Sequence, residues 1–341
     1  MKKLYIHSGL PKTATSALQV FFAQFQTQLH EHGVEYFSLG DIQAAKNGSI
    51  ASGNGTLIAR SMLIDSHEAY YDSKQDLQKN LLSSMKNSSC ESGLLSSEYF
   101  AVVPAKKLND WKQSLAVEGI DLILVYYVRR QDQILMSTYM QRVKRHAHTG
   151  TPEEFILSIY DKINHLKYYG YTRDLINFLG ENHVLPFIYE TTQQHEKGIV
   201  GHFLNTVLNI TPNWEINNPI INTSPSPLEI KFMLMANQYS PRMNFSDYLV
   251  EDSINRNRSK NYKRHKIVSY EILEKINNYF KEQNRLFEEH FGNGDIFPKI
   301  NPDDYKDHVE LETTTFTSNE VMDIISGLLV RFDRRISKLE K

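Results

Sequence analysis

The amino-terminal segment of the chain combines a strand, a tight turn and a helix. Leu4 to Ile6 form a short apolar run typical of a buried strand, and Gly9 and Pro11 end that run. A helical pattern then begins at Thr15 and continues to about residue 30. A helix N-terminus offers backbone N–H groups without intrahelical partners, and its dipole adds a partial positive charge. The turn therefore predicts an anion site, with phosphate as the expected ligand.

Side chains of the turn favour the same ligand. Lys12 supplies a full positive charge, and Thr13, Thr15 and Ser16 supply hydroxyl groups. The segment differs from the Walker A loop, G-x-x-x-x-G-K-[ST], because the second glycine is missing and Pro11 stands directly before the lysine. A kinase that uses Lys12 and Thr13 with ATP and magnesium remains an alternative.

A second candidate anion site follows a long apolar run. Residues 121–128 suit a central parallel strand that is covered on both faces, and Arg129 and Arg130 end it. A helical pattern over 131–144 then places Ser137 about two turns beyond Arg129. An arginine fork and a hydroxyl group can hold one phosphate together. The alternatives are a surface ion pair for Arg129, or a phosphate shared with Arg130, and simple helix packing for Ser137.

A carboxylate follows a third predicted strand. Residues 93–97 read as a short strand, and Glu98 comes directly after it. Open parallel sheets bind their ligands at the carboxyl ends of the strands, so Glu98 can act there as a proton acceptor. The alternative is an acidic residue in the first turn of the next helix. Three histidines are rival bases, namely His7, His146 and His148, and their spacing predicts no metal site.

These segments resemble one enzyme family. Residues 11–16 are similar to the Pro-Lys-x-Gly-Thr-[Ser/Thr] loop of sulfotransferases that use 3′-phosphoadenosine 5′-phosphosulfate (PAPS). Arg129, followed after seven residues by Ser137, resembles that family's 3′-phosphate site. The segment around Glu98 is similar to the Ser-x-Glu segment of bacterial carbohydrate sulfotransferases, and the tract 168–190, with its tyrosine-glutamate end, again resembles those enzymes.

The resemblance implies a fold and a set of roles. The fold would be a P-loop-type three-layer α/β fold, with a central, mainly parallel sheet flanked by helices and a helical C-terminal part. Lys12 would contact the bridging oxygen of PAPS, Glu98 would be the base, and Arg129 and Ser137 would hold the 3′-phosphate. No metal would be needed. The 5′-phosphosulfate would be bound by Pro11, Lys12, Thr13, Ala14, Thr15 and Ser16.

One residue departs from the family pattern. Ala14 stands where the family has glycine, and alanine is strained wherever the backbone needs a positive φ. We expect either a right-handed turn at Ala14 or an altered contact with the phosphate.

The acceptor follows from the resemblance alone. A glycan, a glycolipid or another small molecule with a hydroxyl group is the expected partner. A protein that keeps the nucleotide pocket without catalysing a reaction is a third interpretation, beside the sulfotransferase and the kinase.

Composition limits the remaining classes. The chain has 341 residues, a net charge of −2 and one cysteine, Cys90, which predicts no internal disulfide and no general attraction to nucleic acid. We found no signal peptide and no apolar run long enough to span a membrane, so we expect a cytoplasmic protein, bacterial or soluble cytosolic.

The alternation of helical and strand patterns predicts one α/β domain over residues 1–300 and a helical extension over 301–341. Within the domain, residues 38–92 are polar and are expected to form an insertion on the acceptor side, in which 52–55 are a surface turn or an acceptor contact. The loop 222–224 would cover the nucleotide. The basic run 256–266 would be a solvated face or a contact with phosphates or an acidic glycan. An apolar stripe on the last helix would be core or a contact between copies of the chain.

Overall fold

A five-stranded parallel sheet forms the centre of the structure, a computed structural model. It describes residues 1–39, 42–47, 53–72, 76–216, 225–239, 243–256, 267–306, 308–311, 313 and 315–339. The strand order is β2-β3-β1-β4-β5, and all four pairings are parallel. The predicted α/β class with a central parallel sheet is therefore confirmed. The strands are β1 (Lys2–Ser8), β2 (Val34–Tyr36), β3 (Ser92–Ser97), β4 (Ile120–Val128) and β5 (Val184–Ile188).

The central strands are covered on both faces, as their apolar sequences require. Every residue of β4 from Leu122 to Val128 is buried, and β1 is buried from Leu4 onward. The register pairs Ser8 of β1 with Ser97 of β3, and His7 of β1 with Val125 of β4. The carboxyl ends of β1 and β3 therefore coincide, while β4 continues three residues beyond its last pair with β1.

Helices connect and flank the strands. Short 3-10 segments cover Glu98–Val102, Asn164–Leu166, Glu181–His183 and Pro302–Tyr305, and a π-helical turn covers Phe203–Val207. The α-helices of the described residues are α1 (Thr15–Gln24), α2 (Gln26–Glu31), α3 (Gln43–Lys46), α4 (Thr56–Ser61), α5 (Leu77–Asn87), α6 (Ala105–Val117), α7 (Gln131–Arg145), α8 (Pro152–Ile159), α9 (Tyr168–Leu179), α10 (Tyr189–Thr192), α11 (Gly198–His202), α12 (Pro227–Tyr239), α13 (Met243–Asn255), α14 (Tyr270–Phe291) and α15 (Ser318–Leu339).

The helix predicted over about 15–30 is interrupted. Phe25 separates α1 from α2, with φ −104° and ψ 26°. Its ring stacks on Phe21 at a centroid distance of 4.7 Å and lies 6.5 Å from the ring of Trp214. Phe25 therefore contacts Trp214, a residue distant in sequence, at the point where the helix is interrupted. A periodic apolar pattern does not predict such an interruption.

The chain divides into two compact units. Unit 1 comprises Met1–Arg130, His165–Ile221 and Glu282–Pro298, and it contains the whole sheet. A large cluster of its buried apolar side chains joins α1, the strands and the π-helical turn, and includes Phe22, Tyr127 and Phe203. The division of the sequence at residue 300 stays a prediction.

Unit 2 comprises Gln131–Asn164, Asn222–Lys281 and Lys299–Lys341. It is built from helices: α7 packs on α8, α12 and α13, and α13 packs on α15. The Nδ2 atom of Asn237 donates to the backbone oxygens of Val143 and His148, at 2.9 and 3.0 Å, and so satisfies carbonyl groups at the end of α7. No helix in the described part of either unit is long and apolar enough to cross a bilayer.

Asn54 completes the edge of the sheet where β2 departs from β3. Its Nδ2 atom donates to the backbone oxygens of Phe37 and Leu94, both at 3.0 Å, and its Oδ1 atom accepts from the backbone N–H of Ser96 at 2.8 Å. The side-chain amide thus replaces the peptide group of a missing strand residue. Interpreting 52–55 as a surface turn is wrong for Asn54, which is only 2% exposed, whereas Ser52 lies outside the described residues.

We predict that Asn54→Ala lowers the free energy of unfolding by about 2–4 kcal/mol, because it leaves buried backbone groups of β3 unpaired. Asn54→Asp should also destabilise the protein, since a carboxylate cannot donate to two carbonyl oxygens. Chemical denaturation measures both effects. The matched control is Asn47→Ala, at an exposed asparagine of the same region. Equal stability of the Asn54 and Asn47 variants would contradict the assignment.

Candidate active site

The turn after β1 folds into a cradle of backbone N–H groups. Gly9 continues the sheet, with its N–H 3.1 Å from the backbone oxygen of Ser97. Lys12 and Ala14 both have left-handed backbone conformations, with φ of 65° and 58°, and Thr13 between them has not. Alternation of this kind turns successive N–H groups toward one side and forms an anion-binding concavity.

Ala14 adopts the strained conformation that glycine normally supplies. It is the N-cap of α1, with φ 58° and ψ 26°, so the first of the two alternatives, a right-handed turn, is wrong, and an altered contact with the phosphate stays a prediction. A left-handed conformation costs an alanine about 1–2 kcal/mol. The loop therefore keeps the backbone path of an anion-binding turn at the expense of stability.

The hydroxyl groups of the loop divide into two kinds. The Oγ1 atom of Thr13 donates to the backbone oxygen of Leu10 at 2.8 Å and so fixes the loop itself. The Oγ1 atom of Thr15 is buried and has no hydrogen-bond partner among the described residues. Gly9 leaves space for this side chain, because a Cβ atom at Gly9 would lie 2.4 Å from Thr15 Cγ2. Ser16 is half-buried at the start of α1. A buried, unpaired hydroxyl beside a cradle of N–H groups fits an anionic ligand.

Arg129 is fixed beside the loop because β4 extends past β1. Its Nη1 atom donates to the backbone oxygen of Lys12 at 2.7 Å. Its guanidinium carbon lies 5.0 Å from the centroid of the Tyr189 ring, and the hydroxyl of Tyr168 donates to the Arg129 backbone oxygen. Arg129 thus supports the shape of the loop and also brings a second positive charge to it.

The glutamate at the end of β5 fixes the end of β4. The Oε1 atom of Glu190 accepts from the Arg130 backbone N–H at 2.9 Å, and burial raises the pKa of this carboxyl. The side chain of Arg130 turns to the backbone oxygen of Pro298, at 3.3 Å. Sequence reasoning noted the Tyr189-Glu190 pair only as a family resemblance. The Tyr189-Glu190 pair directly follows β5, and Arg129 directly follows the neighbouring strand β4. This shared position at strand ends was the signal that could have placed the pair beside Arg129.

Ser137 lies in the middle of α7, in unit 2, and its side chain is half-buried. A role shared with Arg129 stays a prediction. The loop 222–224 and residues 257–266 of the basic run lie outside the described residues. Arg256, the first residue of that run, pairs with Asp252 and Asp323 at 3.3 and 3.1 Å.

Glu98 begins the 3-10 segment that follows β3. Ser97 caps this segment, since its side chain accepts from the Tyr99 N–H at 3.2 Å. Glu98 is therefore both the carboxylate at the strand end and an acidic residue in a first turn, so its position fits both interpretations.

Lys12 and Glu98 interact electrostatically. Burial raises the pKa of Glu98, and the charge of Lys12 opposes that change. Burial also lowers the pKa of Lys12, while Glu98 raises it and Arg129 lowers it. The Glu98 side chain is nevertheless accessible to water. A carboxylate that water reaches, and whose pKa nearby protein atoms raise, is able to accept a proton from a hydroxyl group that approaches from solvent.

The rival histidine of unit 1, His7, does not share this position. His7 is completely buried, its Nδ1 atom is 2.8 Å from Ser96 Oγ, and burial lowers its pKa to about 3. It is a neutral core residue and cannot reach a substrate. His148 packs against Tyr139 and Phe155 in unit 2, and His146 is exposed there.

Comparisons with known proteins give one structural similarity. No protein-family model and no curated protein matches the chain. Among solved structures, the crystal structure of a sulfotransferase from Alicyclobacillus acidocaldarius is similar to 70% of this chain and 93% of its own, with 13% sequence identity and a TM-score of 0.38. Similarity of this degree carries no conclusion about function, which must rest on the site itself.

We predict that Ala14→Gly raises the free energy of unfolding by about 0.5–1 kcal/mol. Glycine removes the left-handed strain of about 1–2 kcal/mol, and the greater freedom of the unfolded chain offsets part of the gain. Ala17→Gly, inside α1 where the backbone is helical, is the matched control and should destabilise by about 0.5–1 kcal/mol. Urea denaturation of the two variants measures both changes in the free energy of unfolding. Losses of equal size would show that the loop is not strained at Ala14.

Proposed function

We propose that this protein is a sulfotransferase that transfers the sulfuryl group of PAPS to a hydroxyl group of an acceptor, a glycan or a glycolipid. The donor and the acceptor class come from the sequence resemblance. The reaction itself is supported by the arrangement of Lys12, Arg129 and Glu98 around the anion-binding turn.

The observation that carries the proposal is the Lys12–Glu98 pair. These side chains follow neighbouring strands, and burial disfavours the charged form of each. Glu98 is exposed to solvent, so the opposite charge of Lys12 adds little to stability, and both groups remain accessible to a substrate. Sulfuryl transfer requires one positive group at the leaving oxygen and one proton acceptor at the attacking oxygen.

Each residue then has a defined task. Glu98 accepts the proton of the acceptor hydroxyl while the oxygen of that hydroxyl forms its bond to sulfur. The bond between sulfur and the bridging oxygen breaks, and Lys12 stabilises the negative charge that develops on the 5′-phosphate of adenosine 3′,5′-bisphosphate. The raised pKa of Glu98 makes its ionised form a stronger base than an ordinary carboxylate. This transfer requires no metal ion.

The remaining residues position the donor. Backbone N–H groups of residues 12–16, with the hydroxyls of Thr15 and Ser16, bind the 5′-phosphosulfate at the N-terminus of α1. Arg129 binds the 3′-phosphate, together with Ser137 by resemblance to the family. Arg129 also holds the Lys12 carbonyl, so the two ends of the nucleotide are linked through one side chain.

We predict that Lys12→Ala lowers turnover about 100-fold, because one strong electrostatic donor is lost. The variant should also need a higher pH for half-maximal activity. Ionised Glu98 is the active form, and removing the charge of Lys12 removes an interaction that lowers the Glu98 pKa. Transfer of radiolabelled sulfate from PAPS to a panel of oligosaccharides and glycolipids, measured across pH, gives both quantities.

Lys3→Ala, at an exposed lysine of β1, is the matched control and should retain wild-type turnover and pH dependence. A Lys12→Ala protein with undiminished transfer would refute the role of this lysine. Phosphate transfer from ATP with magnesium, in place of sulfate transfer, would establish the kinase alternative.

A further inference from the structure

A cluster of three potential metal ligands lies outside the candidate active site. His30, Glu35 and Cys90 each offer one ligand atom, and these atoms lie within 4.8 Å of one another. The Nε2 atom of His30 is 3.5 Å from Glu35 Oε2, and the Sγ atom of Cys90 is 3.9 Å from the same oxygen. Among the described residues, it is the one group of histidine, cysteine and acidic side chains with this geometry.

The fold itself brings the three side chains together. His30 lies in the last turn of α2, and Glu35 is the middle residue of β2. Cys90 lies two residues before the start of β3. Pairing of β2 with β3 begins at Val34 and Ser92, so these elements are joined by the sheet. The cluster is therefore held at the amino ends of the strands, whereas Glu98 follows the carboxyl end of β3.

A neighbouring serine orients two of the candidate ligands. The hydroxyl of Ser88 donates to Glu35 Oε2 at 2.9 Å, and its oxygen accepts from the Cys90 backbone N–H at 3.2 Å. In known metal sites, hydrogen bonds of this kind orient the side chains that bind the metal directly. Cys90 is buried and Glu35 partly buried, while His30 is half-exposed and leaves a path for an ion to enter.

We propose that His30, Glu35 and Cys90 form a zinc-binding site, with water as the fourth ligand. Thiolate, imidazole and carboxylate are the ligands that Zn²⁺ prefers. Tetrahedral zinc with bonds of about 2.0–2.3 Å separates neighbouring ligand atoms by about 3.3–3.7 Å. The observed distances therefore require movements of about 1 Å or less.

The charges of the site also balance. On binding, the Cys90 thiol loses its proton to solvent and the Sγ–Zn bond forms, so thiolate and carboxylate together neutralise the ion. The charge of Lys2 lies near the cluster and opposes a cation, but its Nζ atom is held by the backbone oxygens of Met85 and Ser88 at 2.8 and 2.6 Å. The prediction of no metal site rested on the spacing of His7, His146 and His148. Glu35 and Cys90 are 55 residues apart, a spacing that matches no short metal motif.

Zinc binding to the tag-free, metal-stripped full chain tests the proposal. We expect one zinc ion per chain in competition with a chromophoric chelator, and a melting temperature raised by about 3 °C or more at a zinc concentration 100-fold above the dissociation constant. Cobalt(II) in place of zinc should give a thiolate charge-transfer absorption. Cys90→Ser should abolish that absorption, and His30→Ala should weaken zinc binding at least about 10-fold.

His32→Ala is the matched control. This exposed histidine is close in sequence to His30, but its Nδ1 atom contacts the Gln28 backbone oxygen and it lies outside the cluster. Zinc binding that survives both Cys90→Ser and His30→Ala, or the lack of stoichiometric binding to the wild type, would overturn the proposal. Since His30 is half-exposed, its variant keeps the test valid if Cys90→Ser does not fold.

Discussion

Parallel pairing of β1 with β3 on one side and β4 on the other is the constraint on which the candidate site depends. The pair Ser8–Ser97 ends both β1 and β3 at the same level, so the anion-binding turn and Glu98 begin side by side. The longer β4 carries Arg129 past the end of β1, to within a hydrogen bond of the Lys12 carbonyl. Lys12, Glu98 and Arg129, the first and last of which are 117 positions apart, are thus placed at one edge of the sheet by strand register.

The same edge of the sheet contains the features that cost stability. Ala14 is held in a left-handed conformation, and burial disfavours the charged forms of both Lys12 and Glu98. Backbone strain of this kind persists only where the surrounding structure determines it. Here that structure is the buried part of β4, from Leu122 to Val128, and the aromatic contact between Phe22 of α1 and Phe203. The packed core of unit 1 therefore maintains a turn that would be unfavourable on its own.

Hydrophobic periodicity and residue composition predicted the elements whose local sequence has a clear pattern. The apolar run of β4, the short β3 and the turn at Lys12 were correctly placed, and the sheet-edge rule put Glu98 near the turn. Contacts distant in sequence were not predictable in this way. Asn54 replaces a strand peptide group, and Tyr189 lies under Arg129, because of where the chain passes in space and not because of any local pattern.

The central claim is that one nucleotide is bound at both ends, by the turn after β1 and by Arg129. Isothermal titration calorimetry without magnesium, comparing adenosine 3′,5′-bisphosphate with AMP, measures the contribution of the 3′-phosphate directly. Charge-assisted hydrogen bonds to that phosphate should make the bisphosphate bind about 10-fold to 100-fold more tightly. Equal affinity for the two ligands would contradict the account.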